Sequence, residues 1–400
     1  MKIVHLSDLH LGKKIKNFSL IEDQKHILSE ILGVVENERA DAVIVAGDIY
    51  DRQLPPVEAI ELFDDFLTSL AVKKIPVLVI SGNHDSAERV AFGSKLMAAS
   101  NVYFSPAYNG NVEPVVINDE FGPVNFWLLP FIKPGNVRCF YPDEKIDSYS
   151  DAVAVAINHM NIDKSQRNVL VAHQFVTGAS VCDSEEPSSV GGLDNVDPSV
   201  FDDFDYVALG HIHGPQKIGD DRIYYSGTPL KYSLSEKNHK KAVRVFSLFE
   251  KGSVGASESA AGTSGAVESA GYARAEYKSV ELHPLRDMRE ISGFYNDIML
   301  RDNYINTNTD DYVHIVLKDE EEIMNCFSKL QSVYPNLMSI EYDNIRNSGV
   351  NIVDGVSESV SLSPLELFEE FYELQNNKKL DDDQRDYMSK LIEEVWEENK

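Results

Sequence analysis

Short apolar runs alternate with longer segments of helical period over the first eighty residues. Lys2–Leu6 reads as a strand, and Ala42–Ala46 and Val77–Ile80 read as buried strands because no polar residue interrupts them. Between the first two, Ile27, Leu28, Ile31, Leu32 and Val35 recur at helical spacing, which predicts an amphipathic helix from Leu20 to about Glu38. Val57, Ile60, Phe63, Phe66, Leu67 and Leu70 form a second helical stripe, entered through Pro55-Pro56. The order β-α-β-α-β predicts parallel strands with helices on their faces, an α/β fold.

The pattern changes after residue 100. Pro114–Ile117 and Asn125–Leu129, separated by Gly and Pro, predict an antiparallel continuation through Phe131. A helix is expected near Asp151–His159, followed by strands at Val169–Ala172, Tyr206–Leu209, Arg222–Tyr225 and Ala242–Phe249, so the first domain is placed at 1–250. Residues 251–276 are rich in Gly, Ala and Ser and are read as a flexible linker or insertion, since they hold too little apolar surface to offset the entropy of ordering. Tyr277–Leu282, Tyr312–Leu317, a helix around Glu321–Val333 and Met338–Tyr342 predict a small α+β domain at 277–346. The remainder, 347–400, is a polar stretch followed by acidic helices. One is expected to start at Ser363-Pro364-Leu365-Glu366, a capping-box pattern with Pro at the first helical position. It carries Leu367, Phe368, Phe371 and Tyr372 on one face, and a last helix carries Tyr387, Met388, Leu391, Ile392, Val395 and Trp396.

Composition narrows the class. Four hundred residues, 43% of them hydrophobic, allow two or three domains with a sizeable core. The apolar stretch in Met1–Leu6 is too short for a signal peptide, and no run approaches the roughly 18 apolar residues of a membrane helix, so a cytoplasmic protein without membrane association is expected. Cys139, Cys182 and Cys326 are odd in number and lack ligand spacing, which predicts reduced thiols. The net charge of −28 argues against simple nucleic-acid binding, which needs Lys and Arg at the phosphates. Bound divalent cations, or a basic partner, would offset it locally.

The candidate chemistry lies where the apolar runs end. Asp8-Leu9-His10, Gly47-Asp48, Ser81-Gly82-Asn83-His84-Asp85, His173 and Gly210-His211-Ile212-His213 each follow such a run, at the strand edge where α/β proteins build their sites. In an extended segment residues i and i+2 share a side, so Asp8/His10 and His211/His213 each present a convergent pair. Asp8, His10, Asp48, Asn83, His173, His211 and His213, with His84 beside them, offer carboxylate, amide and imidazole donors suited to Mn, Fe or Zn and include no thiolate. Seven donors exceed what one ion takes from protein and fit two ions that share a carboxylate and activate a water against a phosphoryl group. Taken singly, His10 reads as well as a loop residue and Asp48 as a helix cap. The ordered set is what decides. His5, His26, His159, His239, His283 and His314 belong to no motif and are expected to be structural or surface residues.

In this order, Asp-x-His, Gly-Asp, Gly-Asn-His-Asp, a lone His and Gly-His-x-His resemble the calcineurin-like metallophosphoesterases over about residues 1–250. The wording Ser7-Asp8-Leu9-His10-Leu11-Gly12, Gly47-Asp48-Ile49-Tyr50-Asp51 and Gly82-Asn83-His84-Asp85-Ser86 is most similar to the DNA-repair nuclease branch of that superfamily. The resemblance implies an αββα sandwich with a small α+β capping domain and a helical C-terminal tail. It also implies a hydrolase acting on DNA phosphodiesters, as a 3′-to-5′ double-strand exonuclease and a single-strand or hairpin endonuclease. Asp8, His10 and His213 would hold one ion, Asn83, His173 and His211 the other, and Asp48 would bridge them. His84 would be catalytic, stabilising the transition state or protonating the leaving oxygen. The ions would be Mn2+, with Mg2+ as the alternative. The partners would be DNA, a coiled-coil ATPase docked by the tail, and a second copy of the chain within a heterotetramer. Where archaeal and eukaryotic relatives carry a further His after Gly-Asp, this chain has Asp51-Arg52, as the bacterial branch does. The competing reading is a metallophosphatase or cyclic-nucleotide phosphodiesterase of the same superfamily. Asp48-x-x-Asp51-Arg52 is also found in protein Ser/Thr phosphatases, but the Ser-Asp start and Gln53 depart from them. A catalytically silent scaffold would have lost donors, and here the set is complete.

Overall fold

The computed structural model describes residues 1–182, 185, 195–251, 272–343, 365, 368, 369, 372 and 378–398, side chains of 393–398 excepted. They fall into two units, Met1–Asp287 and Met288–Lys400. The strands of the first unit are β1 (Lys2–Leu6), β2 (Lys14–Ile15), β3 (Phe18–Ser19), β4 (Ala42–Ala46), β5 (Val77–Ile80), β6 (Val102–Phe104), β7 (Pro114–Asp119), β8 (Gly122–Leu128), β9 (Arg167–His173), β10 (Tyr206–Gly210), β11 (Gln216–Ile218), β12 (Asp220–Tyr225), β13 (Ala242–Lys251) and β14 (Ala273–Glu281). Two six-stranded sheets result, in the orders β14-β13-β1-β4-β5-β6 and β11-β12-β10-β9-β8-β7, and β2 and β3 form a separate small ribbon.

The sheets are packed face to face. Alternate residues explain how: Ile3, Ala42, Ile44, Ala46, Leu78 and Ile80 of the first sheet share one core with Phe126, Leu128, Val169, Val171, Tyr206 and Ala208 of the second. The intervening residues face outward and are covered too, which is why these strands read as unbroken apolar runs. On the second sheet Leu170, Ala172, Val207 and Leu209 pack with Ala152, Val153, Ala156 and Ile157. Those residues lie on helix α6 (Tyr149–Asn158), whose N-cap Ser148 accepts from the Asp151 N–H. Helices α1 (Ile21–Glu38) and α2 (Val57–Val72) bury Ile27, Leu28 and Ile31, and Phe63, Phe66, Leu67 and Leu70. Shorter turns of helix, α3 (Ala87–Val90), α4 (Ser94–Met97) and α5 (Pro134–Arg138), complete this unit.

Register brings the strand ends level. β1 and β4 run parallel with Leu6 opposite Val45, β4 and β5 with Ala46 opposite Ile80, and β9 and β10 with His173 opposite Gly210. The loops that follow these five strands therefore emerge at one edge of each sheet.

The second unit has a parallel three-stranded sheet, β15 (Met288–Gly293), β16 (Tyr312–Leu317) and β17 (Leu337–Tyr342), in that order. Its helices are α7 (Tyr295–Ile298), α8 (Arg301–Tyr304) and α9 (Cys326–Gln331), and a long C-terminal helix, α10, spans Asp382–Glu398. Among the described residues no helix is long and apolar enough to cross a membrane.

Four details differ from the sequence reading. The strand expected at Tyr277–Leu282 in the small domain is β14, and it pairs with β13 in the first sheet. Ala273 and Ala275, which composition assigned to the linker, are buried in that strand, so the first unit extends past 250. The helix expected over Glu321–Val333 is confined to α9, because Asn325 before it adopts a left-handed backbone (φ 55°). Antiparallel pairing in 101–131 is limited to the β7–β8 hairpin, since β6 runs parallel to β5 and β8 parallel to β9. The rest of the expected linker (252–271), and Ser363-Pro364, Leu367 and Phe371 of the expected tail helix, lie outside the described residues.

Candidate metal centre

Where β1, β4 and β10 end, the backbone takes conformations that ordinary side chains avoid. Asp8 (φ 52°), His10 (φ 43°), Asp48 (φ 49°) and His211 (φ 102°) are all left-handed. The loops are tied to each other: the Asp8 N–H donates to Gly47 O at 3.0 Å, His10 N–H to Asp48 O at 3.0 Å and Leu11 N–H to Ile49 O at 2.8 Å. Pairing between the first two loops thus continues past the sheet and turns both side chains toward the second sheet. Glycine permits the approach. A Cβ on Gly210 would lie 2.0 Å from Ala46 O, and one on Gly82 2.1 Å from Asp48 Oδ1.

All eight residues singled out in the sequence meet at this edge. Asp48 Oδ1 accepts from the His84 N–H at 2.9 Å. Its other oxygen, Oδ2, faces His173 Nε2 at 3.4 Å and His10 Nε2 at 3.8 Å. Asn83 Oδ1 lies 3.0 Å from His173 Nε2 and 2.9 Å from His211 Nδ1. His10 Nε2 and His213 Nε2 stand 3.2 Å apart. The Asp8 carboxylate accepts from the His211 N–H at 3.0 and 3.2 Å. Donor atoms of Asp8, His10 and His213 lie within 4.8 Å of one another, as do those of Asp8, Asp48 and His173, and of His10, Asp48 and His84.

The donor set fits divalent cations, and one tautomer shows why. His173 donates its Nδ1–H to Ala46 O at 2.8 Å, so in the neutral ring Nε2 is a bare lone pair. That lone pair, the Asn83 amide oxygen and Asp48 Oδ2 then converge with no proton between them. Burial works against a charged His173, yet Asp48 overrides it and lifts the ring to about 9. The same burial opposes ionised Asp48, but His173, His10 and His84 hold its carboxyl well below the usual range. Burial pushes Asp8 up, with Asp48 adding to the effect, and draws His211 down to about 3 and His10 well below its ordinary value. The Asp and His donors of the cage are buried and Asn83 is half-buried, whereas His84 sits at the rim with a side chain 22% exposed. His84 Nδ1 lies 3.1 Å from Asp51 O, so it donates there, and Nε2 faces Asp48 Oδ2 at 3.9 Å.

A layer of polar groups surrounds the cage, and of these only Asp85 stood within a sequence motif, with no role assigned. Asp85 accepts from the N–H groups of Ile49 (3.1 Å), Tyr50 (3.0 Å) and Gly82 (2.9 Å), clamping two loops together, and burial with Asp48 nearby raises it to about 6. Gln24, on the buried face of α1, donates to His10 O at 2.7 Å and accepts from the Gly12 N–H at 2.9 Å. A glutamine within an apolar stripe was its one signal in the sequence. Glu236, fully buried, has Oε1 3.5 Å from His213 Nδ1. The six histidines outside the motifs are elsewhere: His5 bonds Tyr206 between the sheets, and His159 and His283 pair with Glu144 and Glu30.

Comparison with known proteins extends the picture. Residues 1–215 match the family described as calcineurin-like phosphoesterase, and residues 284–376 match the type 5 capsule protein repressor C-terminal domain. Over 401 residues the chain is 32% identical to the SbcD component of nuclease SbcCD from Staphylococcus epidermidis, with 98% of each chain covered. Among solved structures, a dimetal phosphatase from Danio rerio matches with a TM-score of 0.34 at 13% identity, over 63% of this chain and 93% of that one. The phosphoesterase Yfce from E. coli matches with a TM-score of 0.26 at 12% identity, over 61% of this chain and 87% of that one. The match to one family over residues 1–215, together with alignment to a single relative over nearly the full length, places the chain among the calcineurin-like phosphoesterases, in the SbcD family of nucleases.

Proposed function

We propose that the chain is a metal-dependent DNA nuclease, the phosphodiester-hydrolysing component of an SbcCD-type complex, with 3′-to-5′ exonuclease action on duplex ends and endonuclease action on single strands and hairpins. The observation that carries this reading is the convergence of seven oxygen- and nitrogen-donor residues, Asp48 among them, where the strands of two sheets end. The relative's name supplies the substrate class and the complex.

Asp8, His10 and His213 would hold one divalent ion and Asn83, His173 and His211 the other, with Asp48 between them. When bound, such a pair supplies an activated water and neutralises phosphoryl charge. Mn2+ suits the mixed donors best, with Mg2+ as the alternative. The two carboxylates, Asp8 and Asp48, leave two dications with excess positive charge, which favours an anionic phosphate even on an acidic chain. His84 lies at the rim with Nδ1–H committed to Asp51 O, so as the imidazolium it would give its Nε2 proton to the departing sugar oxygen and return to the neutral ring.

The partners are DNA, an SbcC-type coiled-coil ATPase docked by the C-terminal segment, and a second copy of the chain within a heterotetramer. Exposed Leu54, Ile60, Phe92 and Leu96 around α2–α4 support contact with a second copy. The small α+β unit acts as the capping domain, a role supported by its position in the chain. Cys139, Cys182 and Cys326 form no disulfide among the described residues, which supports a cytoplasmic location. The decisive experiment is digestion of an end-labelled linear duplex with and without Mn2+, run beside p-nitrophenyl phosphate esters. Cation-dependent shortening of the duplex is expected, and turnover of the small esters alone would assign the chain to the phosphatases.

A further inference from the structure

Histidines that hold cations need their outward nitrogen fixed, and the rings of this cage are fixed in unequal ways. His173 is anchored on a neutral carbonyl, Ala46 O. His213 instead faces a carboxylate, Glu236, across 3.5 Å from its Nδ1. Glu236 is fully buried, and its two oxygens divide their work. Oε2 is taken by Lys241 Nζ and by Thr228 Oγ1 at 3.2 Å, which leaves Oε1 for the His213 ring and the Tyr232 N–H at 3.3 Å. Lys241, itself 5% exposed, also donates to Thr228 Oγ1 at 2.6 Å and to His213 O at 3.0 Å. Ring and backbone of His213 are therefore gripped by one buried ion pair. This places the Nδ1–H toward Glu236 and the lone pair of Nε2 toward His10 Nε2, 3.2 Å away.

We propose that Glu236, pinned by Lys241, is the positioning residue of the Asp8/His10/His213 half of the cage and sets how tightly that half holds its ion. The assignment rests on the two-ion reading above. An anionic acceptor makes the imidazole a better donor to a cation than a carbonyl does, so this half owes part of its affinity to Glu236 while the Asn83/His173/His211 half does not.

Glu236→Gln tests it. Lys241 would orient the amide oxygen toward itself and turn the NH2 group to His213 Nδ1, forcing the tautomer that closes Nε2 with a proton. Mn2+ titration of the full-length protein, with free Mn2+ read by electron paramagnetic resonance, should give two ions per chain for the wild type. The variant should bind one of them about 10- to 100-fold more weakly and the other unchanged. Because Gln leaves Lys241 buried without its counter-ion, the double variant Glu236→Gln/Lys241→Met is measured in parallel; with no Lys241 to orient the amide, a smaller loss confined to the same ion is expected. Wild-type affinity for both ions in a folded variant, or equal weakening of both, would overturn the positioning role. A wild type that binds fewer than two ions would overturn the two-ion reading instead.

Discussion

His84 is held by its backbone and one ring nitrogen, and it borders the cage without closing it. Its N–H supports Asp48 and its Nδ1 is spent on Asp51, so removing the ring should take away a proton carrier and leave the cations. His84→Ala is expected to lose about 10²- to 10⁴-fold in DNA cleavage while elemental analysis finds wild-type Mn content. Parallel loss of both would make the ring a ligand. His5 carries a different consequence. Buried between the sheets against Tyr206 OH and Leu209 O, it is drawn down to about 3 by the loss of solvent. Between the ordinary imidazole value near 6.5 and that depressed value, the unfolded chain takes up a proton that the native chain refuses. The stability His5 contributes is therefore complete above about pH 6.5 and falls with acidification, by up to about 1.4 kcal/mol per pH unit. His5→Gln should flatten the pH dependence of urea unfolding between pH 7 and 5 in metal-free protein, and an unchanged slope would remove His5 as the acid-sensitive group.

The strand ends depend on glycines that admit no substitute. Gly210→Ala would drive a Cβ to 2.0 Å from Ala46 O and 2.7 Å from His173 Nδ1, both fixed by the same hydrogen bond. A loss of about 3 kcal/mol in unfolding free energy is expected, together with weaker Mn2+ binding. Gly33 in α1 has nothing within 4 Å of such a Cβ, and Gly33→Ala should stabilise by about 0.5–1 kcal/mol in the same denaturation assay. Elements were legible in the sequence where burial on both faces wrote an unbroken apolar run, as in β4, β5 and β9. They were misread where the inward positions are small. Ala273 and Ala275 fill β14 against the core, yet beside Gly and Ser they look like linker. The eight motif residues could be found because each follows a run and the runs align in register. Gln24 and Glu236 could not, because nothing in the chain shows that a buried polar residue more than ten or twenty positions away will face His10 O or the His213 ring.

Across the whole chain, 65 acidic residues outnumber 37 basic ones. DNA should therefore be held through few phosphate contacts outside the metal centre. For the chain alone with Mn2+, the plot of log affinity against log salt is expected to have a slope no steeper than about −3, from roughly three neutralised phosphates. Fluorescence anisotropy on a labelled duplex between 50 and 200 mM salt measures it. A slope near −8 would mean that a basic surface outside the centre carries binding, and steepening on addition of the proposed ATPase partner would assign that surface to it. The acidic α10 adds to the repulsion of DNA and suits a protein surface better than a nucleic acid.

The left-handed backbones of Asp8 and Asp48 bear on how an inert form of this protein should be made. Alanine at either position removes the carboxylate and also imposes a conformation that only Gly, Asn and Asp adopt readily. Asparagine keeps the shape and discards only the charge. A silent variant for trapping bound substrate is thus better built with Asp8→Asn or Asp48→Asn, where lost turnover can be attributed to chemistry and not to a relaxed loop.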